Sequence, residues 1–134
     1  MHLSEARNKR LAREFLQMAL VDGEPERAVE MYVGASYTQH SPGLADGVDP
    51  FIAFARQLRA DHPELRLDIR RVLADGDLVA LHTLVIGFGE REDGEPAEHA
   101  AVDMYRFDAD GLIVEHWEVI QPVPTDPANG NGML

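Results

Sequence analysis

Residues 97–121 read AEHAAVDMYRFDADGLIVEHWEVIQ, and the organisation of the whole chain can be worked out from this stretch. On both sides of Asp108-Ala109-Asp110-Gly111, apolar and polar side chains alternate with the two-residue period of a strand that is wet on one face. The Asp and Gly residues supply a turn, so Ala97–Phe107 and Leu112–Gln121 are predicted to pair as an antiparallel hairpin. Working back, EREDGEP is a charged loop, and LVALHTLVIGF (Leu78–Phe88) is a further strand. Leu65, Leu67 and Ile69 alternate with Arg66, Asp68 and Arg70 to give another, joined to it across Asp75-Gly76-Asp77. Four strands with short connections predict an antiparallel meander.

Before Pro63 the period changes to that of helices. Ser4 is positioned to cap a first helix, whose stripe of Leu11, Phe15 and Met18 ends at Asp22-Gly23. Pro25 suits the first turn of a second helix through Met31 and Tyr32, stopped by Gly34. Asp49 caps a third, with Pro50 at its first position and Pro63 forbidding continuation. Between the second and third lies SYTQHSPGLADG, a brief extended piece running into a loop. Helices followed by strands argue for an α+β fold, with three N-terminal helices on the concave face of a curved, mostly antiparallel sheet. The last residues hold too much Pro, Gly and Asn to pack, which predicts one domain over 1–124 and a mobile tail over 125–134.

Composition narrows the function classes. With 134 residues, 45% of them hydrophobic, the chain can bury one core. A formal charge of −12 repels nucleic acid and acidic membrane surfaces, so neither is expected as a partner. The absence of cysteine removes disulfides, thiolate metal sites and a cysteine nucleophile. MHLSEARNKRLAREF turns charged where a secretory signal needs an apolar run, and the expected location is cytoplasmic. No GxSxG, GxxxxGK or GxGxxG is present, so hydrolase-elbow, triphosphatase and dinucleotide readings lack their basic parts. No HxH or HExxH spacing supports a metal, and none is expected. His62, before Pro63, and His2 read as solvent-facing.

The order of elements resembles the SnoaL-like family, which belongs to the superfamily of cone folds related to nuclear transport factor 2 and ketosteroid isomerase. The resemblance is carried by YTQHSP after the second helix, VLADGDLVALH entering the long hairpin, and above all VDMYRFDADGLIVEHWEVIQPVP. It implies a cone with a single pocket. It also implies kinship with polyketide cyclases, which close rings by intramolecular aldol chemistry without metal or cofactor, alongside isomerases, hydrolases and domains of no known reaction. One segment departs from the cyclases: EREDGEPAEH is short and acidic where they carry basic and glycine residues beside the substrate. The expected ligand is therefore a smaller apolar or carbonyl-containing organic molecule.

Asp103 is the leading catalytic candidate. It shares a strand face with His99, Ala101, Tyr105 and Phe107, and burial among them would raise its pKa above the usual ~3.9 toward that of a general base. In the resemblance it matches the position of the cyclases' acid/base aspartate. The other reading is a structural carboxylate that accepts backbone hydrogen bonds or pairs with an arginine. His82 is the second candidate: with Ala80, His82 and Leu84 facing inward it would bond Asp103 or polarise a substrate carbonyl, and otherwise it is a structural core histidine. Tyr37, Gln39 and His40 stand in a rigid extended loop aimed at a cavity mouth, or else brace that loop. Tyr105 joins the substrate-binding set. On the last strand a single tryptophan favours Trp117 and Gln121 inside and His116 outside, an assignment that a bulge would reverse.

Two function classes follow. One is a cofactor-free enzyme in which Asp103 abstracts a proton beside a carbonyl; the other is a non-catalytic module of the same fold that only holds a small molecule. Val102, Met104, Val114 and Ile120 on the outer sheet face would leave apolar surface exposed on a monomer, which predicts a homodimer.

Overall fold

The computed structural model describes residues 3–134, so His2 lies outside the described residues. Helix α1 (Leu3–Leu16) continues into a wider π-helical turn, Gln17–Val21, closed by the Asp22 N–H donating to the Gln17 carbonyl at 2.9 Å. Ser4 thus sits inside the first turn rather than ahead of it. Helix α2 spans Pro25–Tyr32 and strand β1 Val33–Gln39. Helix α3 covers Val48–Asp61, beginning one residue before the expected Asp49 cap, with Gly47 at the boundary. Four further strands follow: β2 (Arg66–Asp75), β3 (Leu78–Glu90), β4 (Pro96–Phe107) and β5 (Ile113–Pro122). Past Pro122 the chain forms no helix or strand.

The sheet is one curved, open layer in the order β1-β5-β4-β3-β2. The meander β2 to β5 is antiparallel as expected. The piece expected to be only briefly extended is instead a fifth strand, β1, which pairs with β5 in parallel and makes the sheet mixed. Gly34 permits this docking: a Cβ there would stand 3.1 Å from Val114 Cγ1 and 3.3 Å from Asp108 Oδ2.

Irregular pairing sets which face each strand presents. In β2, Ile69 faces Thr83 and Arg71 faces His82, so Arg70 is an extra residue and the alternation restarts behind it. In β5, Ile113 faces Phe107 and Glu115 faces Arg106, which leaves Val114 as the extra residue. An odd insertion reverses the side on which every later side chain emerges. Ile113 is inward before it; His116, Glu118 and Ile120 are inward after it.

The helices cover the concave face through an aromatic cluster. The Phe15 ring on α1 lies 5.6 Å from Phe51 on α3, 5.8 Å from Tyr105 on β4 and 6.2 Å from Tyr32 on α2, so one side chain ties three helices to the sheet. Ala12, Ala19, Ala28 and Ala55 are fully buried and let the helices approach. Phe15→Ala should therefore cost about 3–5 kcal/mol, the range for deleting a buried aromatic ring. Urea denaturation measures it, and a loss below about 1 kcal/mol would mean that this ring does not join the layers.

Candidate active site

Strand β4 carries His99, Ala101, Asp103, Tyr105 and Phe107 on its concave face, as the alternation of AEHAAVDMYRF predicts. Asp103 is only 6% exposed. Its direct cross-strand partner is Glu118 on β5, and the two carboxyl groups are hydrogen-bonded to each other. Its second neighbour is His116, whose Nε2 stands 2.7 Å from Asp103 Oδ1 in a fully protein-enclosed contact. His116 is also 6% exposed, and its ring stacks on Tyr105 at 4.7 Å.

The protonation of this chain of groups follows from its ends. The Ser41 backbone N–H donates to Gln39 Oε1 at 3.0 Å, and Gln39 Nε2 donates to the Tyr37 hydroxyl at 3.0 Å, so Oε1 is fixed as an acceptor. His116 Nδ1, 2.7 Å from that oxygen, must carry a proton and donate it. One more proton then lies between His116 Nε2 and Asp103, and another between Asp103 and Glu118. Two like charges directly opposite in a buried ladder are destabilising unless a proton is shared. Burial first, then the Asp103 charge and the hydrogen bond to Asp103, push Glu118 up to about 8, so at neutral pH Glu118 holds its proton. With both bridging protons in place the three groups carry no net charge. Burial also raises the phenols of Tyr37 and Tyr105, with the Asp103 charge adding to both, so each stays protonated.

Two adjoining cavities, of about 290 and 440 Å³, share Leu16, Leu20, Phe54, Asp103, Glu118 and Ile120 in their walls. The carboxyl pair is thus polar chemistry set into an apolar enclosure roofed by α1 and α3. The larger cavity also touches Tyr105, His116 and the Ser41–Leu44 turn; the smaller one extends toward Thr83 and His99. No Lys or Arg lines either. Among the described residues no group of three His, Asp, Glu or Cys side chains is placed to hold a metal ion.

Several expected positions fall elsewhere. His82 points to the outer face, because Leu81 and Thr83 take the inward places on β3; there its Nδ1 accepts from Arg71 Nη1 at 3.1 Å, and it does not meet Asp103. The Val114 bulge reverses the expected sides of β5, so His116 is inside while Trp117 and Gln121 are outside. His40 also lies outside, stacked on Trp117 at 4.9 Å with the rings 1° from parallel. Its Nε2 is 2.7 Å from Glu115 Oε2, and Arg106 donates to the same carboxylate at 3.1 Å while standing 5.7 Å over the Trp117 ring. His40 and then Arg106 hold Glu115 below the usual carboxylate range. Tyr37 and Gln39 brace His116 from behind, and Tyr105 lines the larger cavity. His62 is half-buried, its ring 5.2 Å from Phe88. Glu118 was not among the expected residues: its signal is the two-residue spacing from His116 on a strand opposite Asp103, and the bulge hides that signal.

The fold and site define an α+β cone with a carboxyl pair in an apolar pocket. Residues 12–116 match the SnoaL-like domain family, and the chain belongs to it. Among solved structures it is similar to a candidate polyketide cyclase from Acidithiobacillus ferrooxidans, at 25% identity over 90% of this chain and 92% of that one, with a TM-score of 0.71. It is also similar to TsrD from Streptomyces laurentii (21% identity, 90% and 92% covered, TM-score 0.73). A candidate SnoaL-like polyketide cyclase from a Jannaschia species matches at 19% identity, with 90% of each chain covered and a TM-score of 0.73. At these last two identities the likeness is one of fold. No curated protein sequence matches the chain. Among the described residues no helix is long and apolar enough to cross a membrane.

The raised Glu118 makes stability depend on pH in a definite direction. The unfolded chain releases this proton near ~4.3 and the folded one near 8, so the folded state binds more protons between these values. This contribution is complete below the lower value and is lost as pH rises to the upper one. The melting temperature should fall between about pH 5 and pH 8, and Glu118→Gln should remove that part of the fall. Parallel curves for the two proteins across this window would contradict the assignment.

Proposed function

We propose that this protein is a cofactor-free acid/base enzyme acting on a small enolisable carbonyl compound, of the enolisation, aldol-cyclisation or isomerisation type. The observation that carries this reading is the chain Glu118–Asp103–His116 in the wall of an apolar cavity, where burial and the Asp103 charge favour the protonated form of Glu118. Asp103 is the base. It takes a proton from the carbon next to the substrate carbonyl, and the electron pair of that C–H bond becomes the enolate. Glu118, protonated at neutral pH, turns its one O–H from Asp103 to the carbonyl oxygen as Asp103 takes up the substrate proton and negative charge gathers on that oxygen. The proton on Asp103 is then returned to the same or another carbon; alternatively the enolate carbon attacks a second carbonyl within the substrate, and the alkoxide so formed takes the proton from Asp103.

His116 shares a proton with Asp103, which steadies the charge of Asp103, and its ring is held in place by Gln39, itself anchored on Tyr37. Tyr105 lies against both His116 and the larger cavity, where its ring can pack on the ligand. The relatives described as polyketide cyclases support carbonyl chemistry, and the largely apolar lining without Lys or Arg supports a neutral substrate.

Asp103→Asn keeps the shape of the side chain and removes its basicity. Solvent deuterium exchange at the α-carbon of a bound ketone should fall by about 10²-fold or more, with the melting temperature little changed. A binding module of the same fold would exchange no deuterium in either protein, and an unchanged exchange rate in the variant would end the assignment of Asp103 as base.

We also infer that two copies pair through the outer sheet face. Val102 and Val119 are direct cross-strand neighbours there, next to Met104, and Val119 is 75% exposed. Ile120, expected on this face, belongs to the cavity instead. Light scattering should give twice the mass of 14.9 kDa at micromolar concentration, and Val119→Lys should shift it to the monomer; a wild-type monomer would refute the pairing.

A further inference from the structure

Two residues that border the smaller cavity carry polar atoms that no group of the protein satisfies. Thr83 Oγ1 and His99 Nδ1 are buried without a hydrogen-bond partner, and Thr83 is only 1% exposed. An unpaired buried polar atom costs about 1–3 kcal/mol, and folded proteins contain few of them. Two on residues that border one apolar chamber are candidates for pairing with a ligand.

The strand register fixes where that place is. Thr83 faces Ala101, while Asp103 faces Leu81 and His99 faces Val85, so Thr83 stands between the other two on the concave face. Four residues of strand, about 13 Å, separate Asp103 from His99. Thr83 therefore stands about 7 Å along the sheet from the carboxyl pair, and His99 lies beyond it toward the end of the chamber. Burial holds His99 below the usual imidazole range, which leaves a neutral ring with one N–H and one bare nitrogen. A threonine hydroxyl and a neutral imidazole suit an uncharged oxygen. A carboxylate or phosphate would find no Lys or Arg there, and two acidic groups across the chamber.

We propose that Thr83 and His99 form a second polar anchor, selecting substrates that carry a hydroxyl or carbonyl oxygen at the far end of an apolar body from the reacting carbonyl. The inference deepens the acid/base reading, on which it rests only for which end of the substrate reacts. The anchor itself is a statement about binding.

Two ketones of the same skeleton separate the two statements: 1-tetralone, and 6-hydroxy-1-tetralone with its hydroxyl across the ring system. Calorimetry on the full chain reads the anchor, and α-deuterium exchange reads the acid/base chemistry. The hydroxy ketone should bind about tenfold more tightly, the equivalent of one good hydrogen bond. Thr83→Val, nearly the same in shape, should abolish that preference while leaving 1-tetralone binding within about twofold; Thr83→Ser should retain it, and His99→Phe should weaken it. Should the preference and its loss in Thr83→Val appear without deuterium exchange, the anchor stands and the acid/base reading alone fails. Equal binding of the two ketones by the wild type overturns the anchor. So does a preference that survives in both Thr83→Val and His99→Phe, or the failure of either ketone to bind at millimolar concentration.

Discussion

One extra residue in β5 governs both faces of this protein. Val114 has no partner of its own between the Phe107–Ile113 and Arg106–Glu115 pairs, and the strand turns over behind it. Had the ladder run on without it, Glu115 and Trp117 would enter the core and His116 and Glu118 would face water. The insertion brings an imidazole and a carboxyl to Asp103 on the inside. On the outside it gives Glu115 and Trp117 to His40 and Arg106, whose ring stack and ion pairs cover the seam between β1 and β5. Gly34, across from Val114 on β1, leaves the space in which the bulge sits.

Placing two carboxyl groups opposite each other in a buried ladder is costly, and the fold meets the cost with protons rather than with cations. Neither Lys nor Arg lines the cavity; the third partner is a histidine held by a glutamine held by a tyrosine. A buried pair of this kind contributes little net stability, because desolvation offsets the attraction, and a well-packed apolar trio would serve the fold as well. Low polarity and the Asp103 charge keep the Glu118 proton in place, which is the state that the proposed acid/base chemistry would use.

The helices complete the site by closing it. Phe15 joins α1 to α2, α3 and β4, and the same helices lend Leu16, Leu20 and Phe54 to the roof of the cavity. Core packing and pocket wall are therefore one surface. Excluding water there strengthens every hydrogen bond to the ligand and leaves any polar atom without a partner exposed to that penalty, as Thr83 and His99 are.

Much of this was legible along the chain. The change of period at Pro63, the turns at Asp75-Gly76-Asp77 and Asp108–Gly111, and the inward row of β4 that carries Asp103 all follow from local alternation, because each depends only on residues within one element. The parallel pairing of β1 was not legible, since a short edge strand is made a strand by its partner, far away in sequence. Nor were the inward turn of His116 and Glu118 and the outward turn of Trp117, Gln121 and His82. Alternation fixes which residues share a face, but the side to which that face turns is settled by register: the regular β3–β4 ladder sets His82 opposite the outward Val102, and the bulge at Val114, which leaves no mark in composition, turns β5 over. The sequence by itself determined an α+β cone with a carboxylate on an apolar strand; only the tertiary structure, by choosing the register of β5, decided which groups stand beside it.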